Sequence, residues 1–152
     1  MKIDETDRRL LRALQRRGRI SNADLSEMVG LSPSACHRRV QRLEKEGYIR
    51  DYVALLDERR IGLPTLVFVE ITLIAQAEDV LEAFERAVAR LADVMECHLM
   101  AGTADYVLKV VAEDAEDFAR IHRQHLSRLP GVANMKSSFS LRTISQTTAL
   151  PL

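Results

Sequence analysis

The apolar residues of this chain follow two different spacings, and the change between them near residues 57–64 constrains the fold more than any other feature. Before this point, apolar residues recur every three or four positions, as they do on amphipathic helices. After it, short runs rich in β-branched residues alternate with segments of helical spacing. This pattern predicts an α+β protein in which a small helical domain is followed by a mixed domain.

Three helices are predicted in the first fifty residues. The first begins after Asp4, with Asp7 three residues on. A second, shorter one begins after Ser21 and ends at Gly30. Ser32 followed by Pro33 is an N-cap with a first-turn proline, and the third helix, which it begins, ends at Gly47. A short helix, a turn containing glycine and a longer helix are typical of a helix-turn-helix.

The third helix is expected to expose a basic face. Cys36, Val40 and Leu43 recur at helical spacing and should turn inward. The side chains expected to face outward are Ser34, His37, Arg38, Gln41, Arg42 and Lys45, with Arg39 at the flank. Cationic side chains bind phosphate, and short polar groups near a helix start can reach base edges. An ordinary solvated basic face is the alternative, and the helix-turn-helix context favours DNA.

Double-stranded DNA is therefore the expected partner of the first domain. The first sixty residues hold 14 Lys and Arg against 10 Asp and Glu, although the whole chain has a net charge of zero. Such an excess of positive charge suits a domain that meets a polyanion. The residues predicted to bind DNA are Ser32, Ser34, Ala35, His37, Arg38, Arg39, Gln41 and Arg42.

The domain boundaries follow from the change of spacing. Residues 1–50 are expected to form the helix-turn-helix domain, residues 51–63 a linker strand, and residues 64–152 the second domain. In the second domain, strands are predicted for TLVFVEITLIA, VMECHLM, DYVLKVVA and residues 132–144, with one helix before and one after the middle pair. The order β-α-β-β-α-β predicts a ferredoxin-like domain, in which both helices cover one face of a four-stranded antiparallel sheet.

The other face of this sheet is expected to be covered by a second copy of the chain. The first strand is apolar on both faces, with Leu66 and Phe68 on the face that no helix covers. An apolar sheet face is normally buried, which predicts a homodimer. A two-fold dimer would also pair two recognition helices for neighbouring half-sites on DNA.

Nearly the whole chain resembles the Lrp/AsnC (feast/famine) family of bacterial transcriptional regulators. The resemblance rests on IDETDRRLLRALQRRGRISNADLSEMVGLSPSACHRRVQRLEKEGYI, then LVFVEITL, then ECHLMAGTADYVLKV and RLPGV, in this order and spacing. It implies DNA binding by the first domain and assembly through the second, as dimers and often as tetramers or octamers. Many members bind an amino acid between subunits, so the resemblance also implies a small-molecule effector.

The effector site implied by the resemblance includes a Gly-x-x-Asp-Tyr loop and a polar position on the last strand. The residues assigned to it are Met100, Ala101, Gly102, Thr103, Ala104, Asp105, Tyr106 and Ser137. Backbone N–H groups near Gly102 could hold a carboxylate, and Asp105 could accept from an ammonium group. The alternative is that Gly102 and Asp105 only form a hairpin turn. Members commonly carry an aromatic residue where this chain has Ala104, which leaves the effector's identity open.

Two other functions are weighed against a sequence-specific regulator. Siroheme decarboxylases have a similar architecture, and His122 and His125 lie at a spacing that can hold a metal. No third ligand, catalytic motif or cofactor motif accompanies them, so we expect no enzyme, metal or cofactor. The other alternative is a nucleoid protein that bends DNA with little sequence preference.

The cellular location is predicted from what the sequence lacks. No apolar stretch is long enough to span a membrane, and acidic residues stand where a secretory signal would be basic. Cys36 and Cys97 lack the spacing of a disulfide framework or a zinc site. We therefore expect a cytoplasmic protein with no membrane partner.

Overall fold

The computed structural model describes residues 2–152 and divides into two compact units. The first unit comprises the residues up to Leu55 together with Ser145–Leu152, and the second comprises Leu56–Ile144. The expected domains, 1–50 and 64–152, differ from this division chiefly at the end of the chain. The last eight residues return to the first unit, which no local sequence pattern indicated.

The first unit is a three-helix domain whose helices begin at capping side chains. Asp4 and Asp7 form a capping box, in which each side chain accepts the backbone N–H of the other residue. Gly30 closes the second helix in the left-handed conformation, with φ of 68°. The helices are α1 (Glu5–Arg16), α2 (Asn22–Val29) and α3 (Pro33–Lys45). Their buried apolar residues are Leu10, Leu11, Ala13, Leu25, Val29, Cys36 and Leu43.

The end of the chain is held against α1. The Gln15 side chain donates to the Leu150 carbonyl at 3.2 Å and accepts the Leu150 N–H at 2.5 Å. Arg12 Nε donates to the Leu152 carbonyl at 2.8 Å, and the Leu152 side chain packs against the apolar core of the unit. The first unit is therefore built from residues at both ends of the sequence.

The second unit has the predicted ferredoxin-like topology. Its four strands are antiparallel and lie in the order β2-β3-β1-β4. Its elements are β1 (Thr65–Leu73), α4 (Glu78–Val88), β2 (Val94–Leu99), β3 (Tyr106–Ala112), α5 (Ala115–Gln124), a short 3-10 turn (Leu126–Arg128) and β4 (Val132–Phe139). The last strand ends at Phe139 rather than at the expected residue 144.

The two faces of the sheet differ as the alternation along β1 predicts. Every second residue of β1 from Val67 to Leu73 is buried in a core that also includes Phe84 of α4 and Phe118 of α5. Phe68 points to the other face and is 42% exposed. Its partner in the β1–β3 register is Lys109, which bonds Glu96 of β2 at 2.9 Å. The uncovered face thus carries Phe68 at its centre and charged residues on both sides, with Glu70 and Lys136 toward β4 and Lys109 and Glu96 toward β2.

The expected linker strand is not formed. Residues 51–63 contain no strand. The backbone groups between Asp57 and Leu63 instead form hydrogen bonds with one another in turns. The Leu63 N–H donates to the Glu58 carbonyl at 2.7 Å, and the Ile61 N–H to the Asp57 carbonyl at 3.1 Å. A strand needs a neighbouring strand to bond its backbone. The four-stranded sheet of the second unit is composed of β1 to β4 and does not include this segment.

Candidate nucleic-acid interface and effector loop

The start of α3 is fixed by two polar contacts. The Ser32 hydroxyl accepts the Ala35 N–H at 3.3 Å, which caps the helix. Asn22, the first residue of α2, donates its side-chain amide to the Pro33 carbonyl at 2.9 Å. These contacts join the first turns of the two helices, so the first turn of α3 is held in place relative to α2.

The face of α3 predicted to bind DNA is exposed over most of its length. Ser32 and Ser34 are exposed at its start, their hydroxyls 3.3 Å apart, and Ala35 is half-buried. His37, Arg38 and Gln41 follow as an exposed polar row, and Lys45 is exposed at the end. Because Cys36 and Leu43 are fully buried, the helix turns this row away from the core of its unit.

Arg42 does not face outward as predicted, because its guanidinium bonds to Asp7 of α1. Arg42 Nη2 lies 2.5 Å from Asp7 Oδ2, and Arg39 Nη1 lies 2.8 Å from Asp7 Oδ1. Arg39 Nη1 also bonds Asp4 Oδ2 at 2.7 Å. Asp7 itself is only 1% exposed. Two of the three arginines of α3 are therefore paired with carboxylates of α1.

The pKa directions agree with this pairing. The pKa of Asp4 lies below its ordinary value, first because its carboxylate accepts the Asp7 backbone N–H and second because it bonds Arg39. The pKa of Arg39 is raised by its hydrogen bonds to Asp4 and Asp7. In both residues the contacts stabilise the charged form, so Asp4 and Arg39 are ionised at neutral pH.

Tyr52 contacts the other end of α3. Its hydroxyl donates to Glu44 Oε1 at 3.0 Å. Burial first, and then the neighbouring Glu44 carboxylate, raise the pKa of Tyr52 to about 12. The segment that follows α3 is therefore fastened to the last turn of the helix by a neutral phenol.

The loop between β2 and β3 is organised around Asp105. Its carboxylate accepts the Leu73 N–H at 2.7 Å through Oδ2 and the Gln76 side-chain amide at 2.7 Å through Oδ1. Its own N–H donates to the Ile71 carbonyl at 2.8 Å, and its carbonyl accepts the Met100 N–H at 2.8 Å. Asp105 is 8% exposed. The residue assigned to an effector's ammonium group therefore also closes the loop and bonds the end of β1.

Tyr106 is buried in the core and also lines a cavity. Its ring lies 4.6 Å from that of Phe84, and its hydroxyl donates to Glu85 Oε1 at 2.6 Å. Burial and the Glu85 carboxylate raise its pKa. A cavity of about 320 Å³ beside this pair is lined mainly by α4 and β2 and includes Cys97. Burial, and to a lesser degree Glu85, raise the pKa of Cys97 to about 11, so its thiol is neutral at pH 7.

The remaining loop residues are open to solvent. Met100, Ala101, Gly102 and Thr103 are exposed, and Ala104 is half-buried. Gly102 does not have a positive φ, and a Cβ atom built on it would meet nothing within 4 Å. The turn itself therefore does not require glycine at this position.

Ser137 is not brought to the loop within one chain. It is exposed on β4, where it pairs with Val69 of β1. The loop meets β1 further along, at Ile71 and Leu73, on the side of β1 that faces β3. β1 thus separates Ser137 from the rest of the predicted effector set.

Three residues of these sites were missed or only partly recognised from the sequence. Asp7 was identified only as half of a helix start, and Gln76 and Glu85 were not identified. The partners of Asp7 are 32 and 35 residues away, and the partner of Gln76 is 29 residues away. Local spacing carries no signal for pairs at such separations, whereas an acid at the third helical position is a local signal.

Neither a metal centre nor a membrane helix is found in the part of the chain that the structure describes. Over residues 2–152, no three His, Cys, Asp or Glu side chains are grouped so that they could hold a metal ion. His122 and His125 are not part of any such group, and the His122 ring lies 6.3 Å from that of Phe118. None of the helices in this range has the length and apolar character needed to cross a bilayer.

Comparison with known proteins identifies both units. Residues 3–50 match a family model described as winged helix-turn-helix DNA-binding, and residues 66–150 match one described as Lrp/AsnC ligand binding domain. The leucine-responsive regulatory protein of Escherichia coli K12 is 43% identical over 148 residues, which cover 97% of this chain and 90% of that protein.

Solved structures give the same result. A transcriptional regulator from Neisseria meningitidis, in complex with L-Met, matches with a TM-score of 0.94 and 37% identity, covering 99% of this chain and 97% of that one. An AsnC family regulator from Agrobacterium tumefaciens matches with a TM-score of 0.94 and 34% identity, covering 98% and 97%. The chain belongs to the Lrp/AsnC family and is a transcriptional regulator with a helix-turn-helix DNA-binding domain and a ligand-binding domain.

Proposed function

We propose that the chain regulates specific genes in the cytoplasm of a bacterial cell, binding operator DNA through α3 while an amino acid alters that binding. The observation that carries the DNA part is the exposed row His37, Arg38 and Gln41 beyond a capped and braced helix start. Cationic and amide side chains on such a row suit phosphate oxygens and base edges. Ser32, Ser34 and Ala35 lie at the first turn of the helix, where its backbone can approach the duplex.

The amino-acid part is supported by the charge around Asp105. Its two partners, a backbone N–H and a side-chain amide, are neutral, so neither of them is a cation that would offset a negative charge. Each of its oxygens retains acceptor capacity for an ammonium group. Exposed residues 101–103 offer backbone N–H groups for a carboxylate, and glycine at 102 allows close approach without being needed by the turn. The L-Met complex of the Neisseria meningitidis regulator favours an amino acid over other ligands.

We also propose a homodimer, with further assembly to forms such as an octamer. The support is the uncovered sheet face, with Phe68 42% exposed at its centre. A site between subunits would explain how Ser137 could join the loop, since one chain keeps them apart. Linkage then connects the parts: an effector that binds one assembly or spacing of recognition helices better shifts the population toward it and changes operator affinity.

The first experiment measures binding to DNA upstream of the chain's own gene and of neighbouring genes, at fixed salt, with each of the twenty amino acids. We expect at least one fragment to bind more tightly than random DNA of equal length, and at least one amino acid to change that affinity. Equal affinity for all fragments would contradict the specific regulator and favour a nucleoid-type protein. No response to any amino acid would contradict the effector.

A second experiment tests the role of Asp105. Asp105→Asn retains an oxygen that can accept the Leu73 N–H but removes the negative charge. We expect calorimetry to show at least a tenfold loss of amino-acid affinity in this variant, while DNA binding without effector is unchanged. Glu116→Gln, which removes one negative charge from an exposed position on α5, is the matched control and should bind as the parent does. Undiminished affinity in Asp105→Asn would remove this residue from the ammonium site.

A further inference from the structure

The arginines of α3 are in two different electrostatic states. Arg38 is exposed and, among residues 2–152, belongs to no ion pair. The side chains of Arg39 and Arg42 are 30% and 29% exposed, and both bond the buried carboxylate of Asp7. Asp4 adds a second carboxylate on Arg39. Two cations thus face two anions, and the cluster contributes no net charge to the surface of the helix.

We infer that Asp7 is a positioning residue for DNA recognition, which holds Arg39 and Arg42 away from phosphate so that Arg38 makes the cationic contact. This inference rests on the proposed use of α3 as the DNA-binding surface. It changes the predicted DNA-binding set, because Arg39 and Arg42 become parts of the support of the helix rather than ligands of the duplex.

The burial of Asp7 explains why DNA phosphates would not displace it as the partner of these arginines. For Arg42 to reach a phosphate, it must leave a carboxylate that is 1% exposed. The buried carboxylate would then lose one of its two cationic partners without gaining water in its place, so this exchange is unfavourable, whereas Arg38 exchanges only water for phosphate.

The geometry also fixes the direction of the Arg42 side chain. Its Nη2 bonds Asp7, and its Nε is buried with no acceptor among the described residues. A guanidinium has five N–H donors, and the contact of Nη2 with Asp7 is the charge-assisted one. The Asp7 contact therefore determines where this head group lies. Through Arg39 and Arg42, which are one turn apart, the same carboxylate fixes the rotation of α3 about its own axis relative to α1.

The salt dependence of DNA binding tests this inference. The logarithm of the DNA affinity falls linearly with the logarithm of the salt concentration. The slope of this line is about 0.9 for each phosphate that the protein neutralises. Affinities for an upstream fragment and for random DNA are measured over a range of KCl concentrations for the parent, Arg38→Gln, Arg42→Gln and Asp7→Asn. Glutamine can still donate to Asp7, which keeps Arg42→Gln close to the parent fold.

We expect Arg38→Gln to reduce the slope by about 0.9 for each copy of the chain bound to the DNA, and Arg42→Gln to leave it unchanged. Asp7→Asn should make the slope steeper by about 0.9 for each arginine released, and should raise the affinity for random DNA more than that for the upstream fragment. A merely structural role for Asp7 would weaken binding to both fragments and would not steepen the slope.

The variants separate the possible failures. A reduced slope in Arg42→Gln equal to that in Arg38→Gln would overturn the inference, and so would an unchanged slope in folded Asp7→Asn. An unchanged slope in Arg38→Gln would instead overturn the proposed DNA surface and the inference with it. If circular dichroism shows that Asp7→Asn does not fold, the comparison of Arg42→Gln and Arg39→Gln with Arg38→Gln decides the matter.

Discussion

The two units each contain a buried aspartate at the candidate site, but the partners of the two carboxylates differ. Asp7 of the first unit bonds two guanidinium groups, whereas Asp105 of the second bonds a backbone N–H and a neutral amide. Both are almost fully buried, at 1% and 8% exposure. The first carboxylate is neutralised by cations, and the second keeps a net negative charge.

Burial alone therefore does not determine the role of an aspartate, because two almost equally buried carboxylates have different partners. A carboxylate paired with cations removes charge from the surface around it, which suits a site where excess charge would bind DNA without regard to sequence. A carboxylate bonded by neutral donors is stabilised in its ionised form while its charge remains available to a ligand. The following predictions test this contrast, in order of decreasing effect.

The largest effect is expected when Asp105 is replaced by Ala. Both the Leu73 N–H and the Gln76 amide then lose their acceptor. The exposed Gln76 amide can bond water instead, whereas the buried Leu73 N–H stays unpaired at a cost of about 1–3 kcal/mol. We expect the second unit to lose about 1–3 kcal/mol of its free energy of unfolding. Hydrogen exchange at the Leu73 amide measures this locally. Thr103→Ala, in the exposed part of the same loop, is the control, and unchanged protection at Leu73 would contradict the prediction.

A smaller effect is expected from high salt, and only in the first unit. Arg39 and Arg42 are partly exposed, so salt should screen their pairs with Asp7 and lower the stability of this unit by up to about 1 kcal/mol. The contacts of Asp105 involve neutral donors and should be unaffected. Amide exchange in each unit at low and high KCl makes the comparison. Equal salt sensitivity in the two units would show that the contrast between the carboxylates has no energetic consequence.

A substitution at Gln15 tests whether residues 145–152 are held against the first unit. Gln15→Ala removes both hydrogen bonds to Leu150 and should cost about 0.5–1 kcal/mol, since the site is exposed. We expect faster proteolysis within residues 145–152 and no change in the second unit. Gln41→Ala, an exposed glutamine on another helix of the same unit, is the control. Proteolysis at the parent's rate would indicate that Gln15 does not hold this segment.

The smallest effect concerns Asp4 in acid. Because its folded pKa lies below its ordinary value of 3.8, its contribution to stability is complete above that value and is lost as the pH falls through the folded pKa. Titration followed by NMR should show this low pKa. Arg39→Gln should raise it only partway toward 3.8, since the Asp7 backbone N–H, the larger cause, remains. A return to the ordinary value would identify Arg39 as the main cause instead.

The fold could be predicted from the sequence where the signal is local. Capping residues placed the starts of α1, α2 and α3 correctly, and alternation along β1 separated the buried face from the exposed one. The candidate sites could be predicted only in part. The periodicity of α3 indicated which side turns away from Cys36 and Leu43, but it could not show that Arg42, predicted to face outward, bonds Asp7.

In the linker, the sequence predicts an element that the structure does not contain. Residues 51–63 contain strand-forming residues, and the sequence alone predicts a strand there. Strand formation depends on a partner that supplies backbone hydrogen bonds, and the turns between Asp57 and Leu63 satisfy some of these groups instead. Propensity is a weak guide wherever the partner is decided elsewhere in the molecule.

The sequence by itself determined the helices, the order of the strands, the family and the exposed row on α3, because these depend on periodicity and caps within a few residues. Only the tertiary structure decided which side chains the two buried aspartates bond, that Ser137 lies apart from the loop, and that residues 145–152 join the first unit. Hydrogen bonds and ion pairs between residues about 30 to 135 positions apart depend on how helices and strands pack, and packing is not encoded in any local stretch.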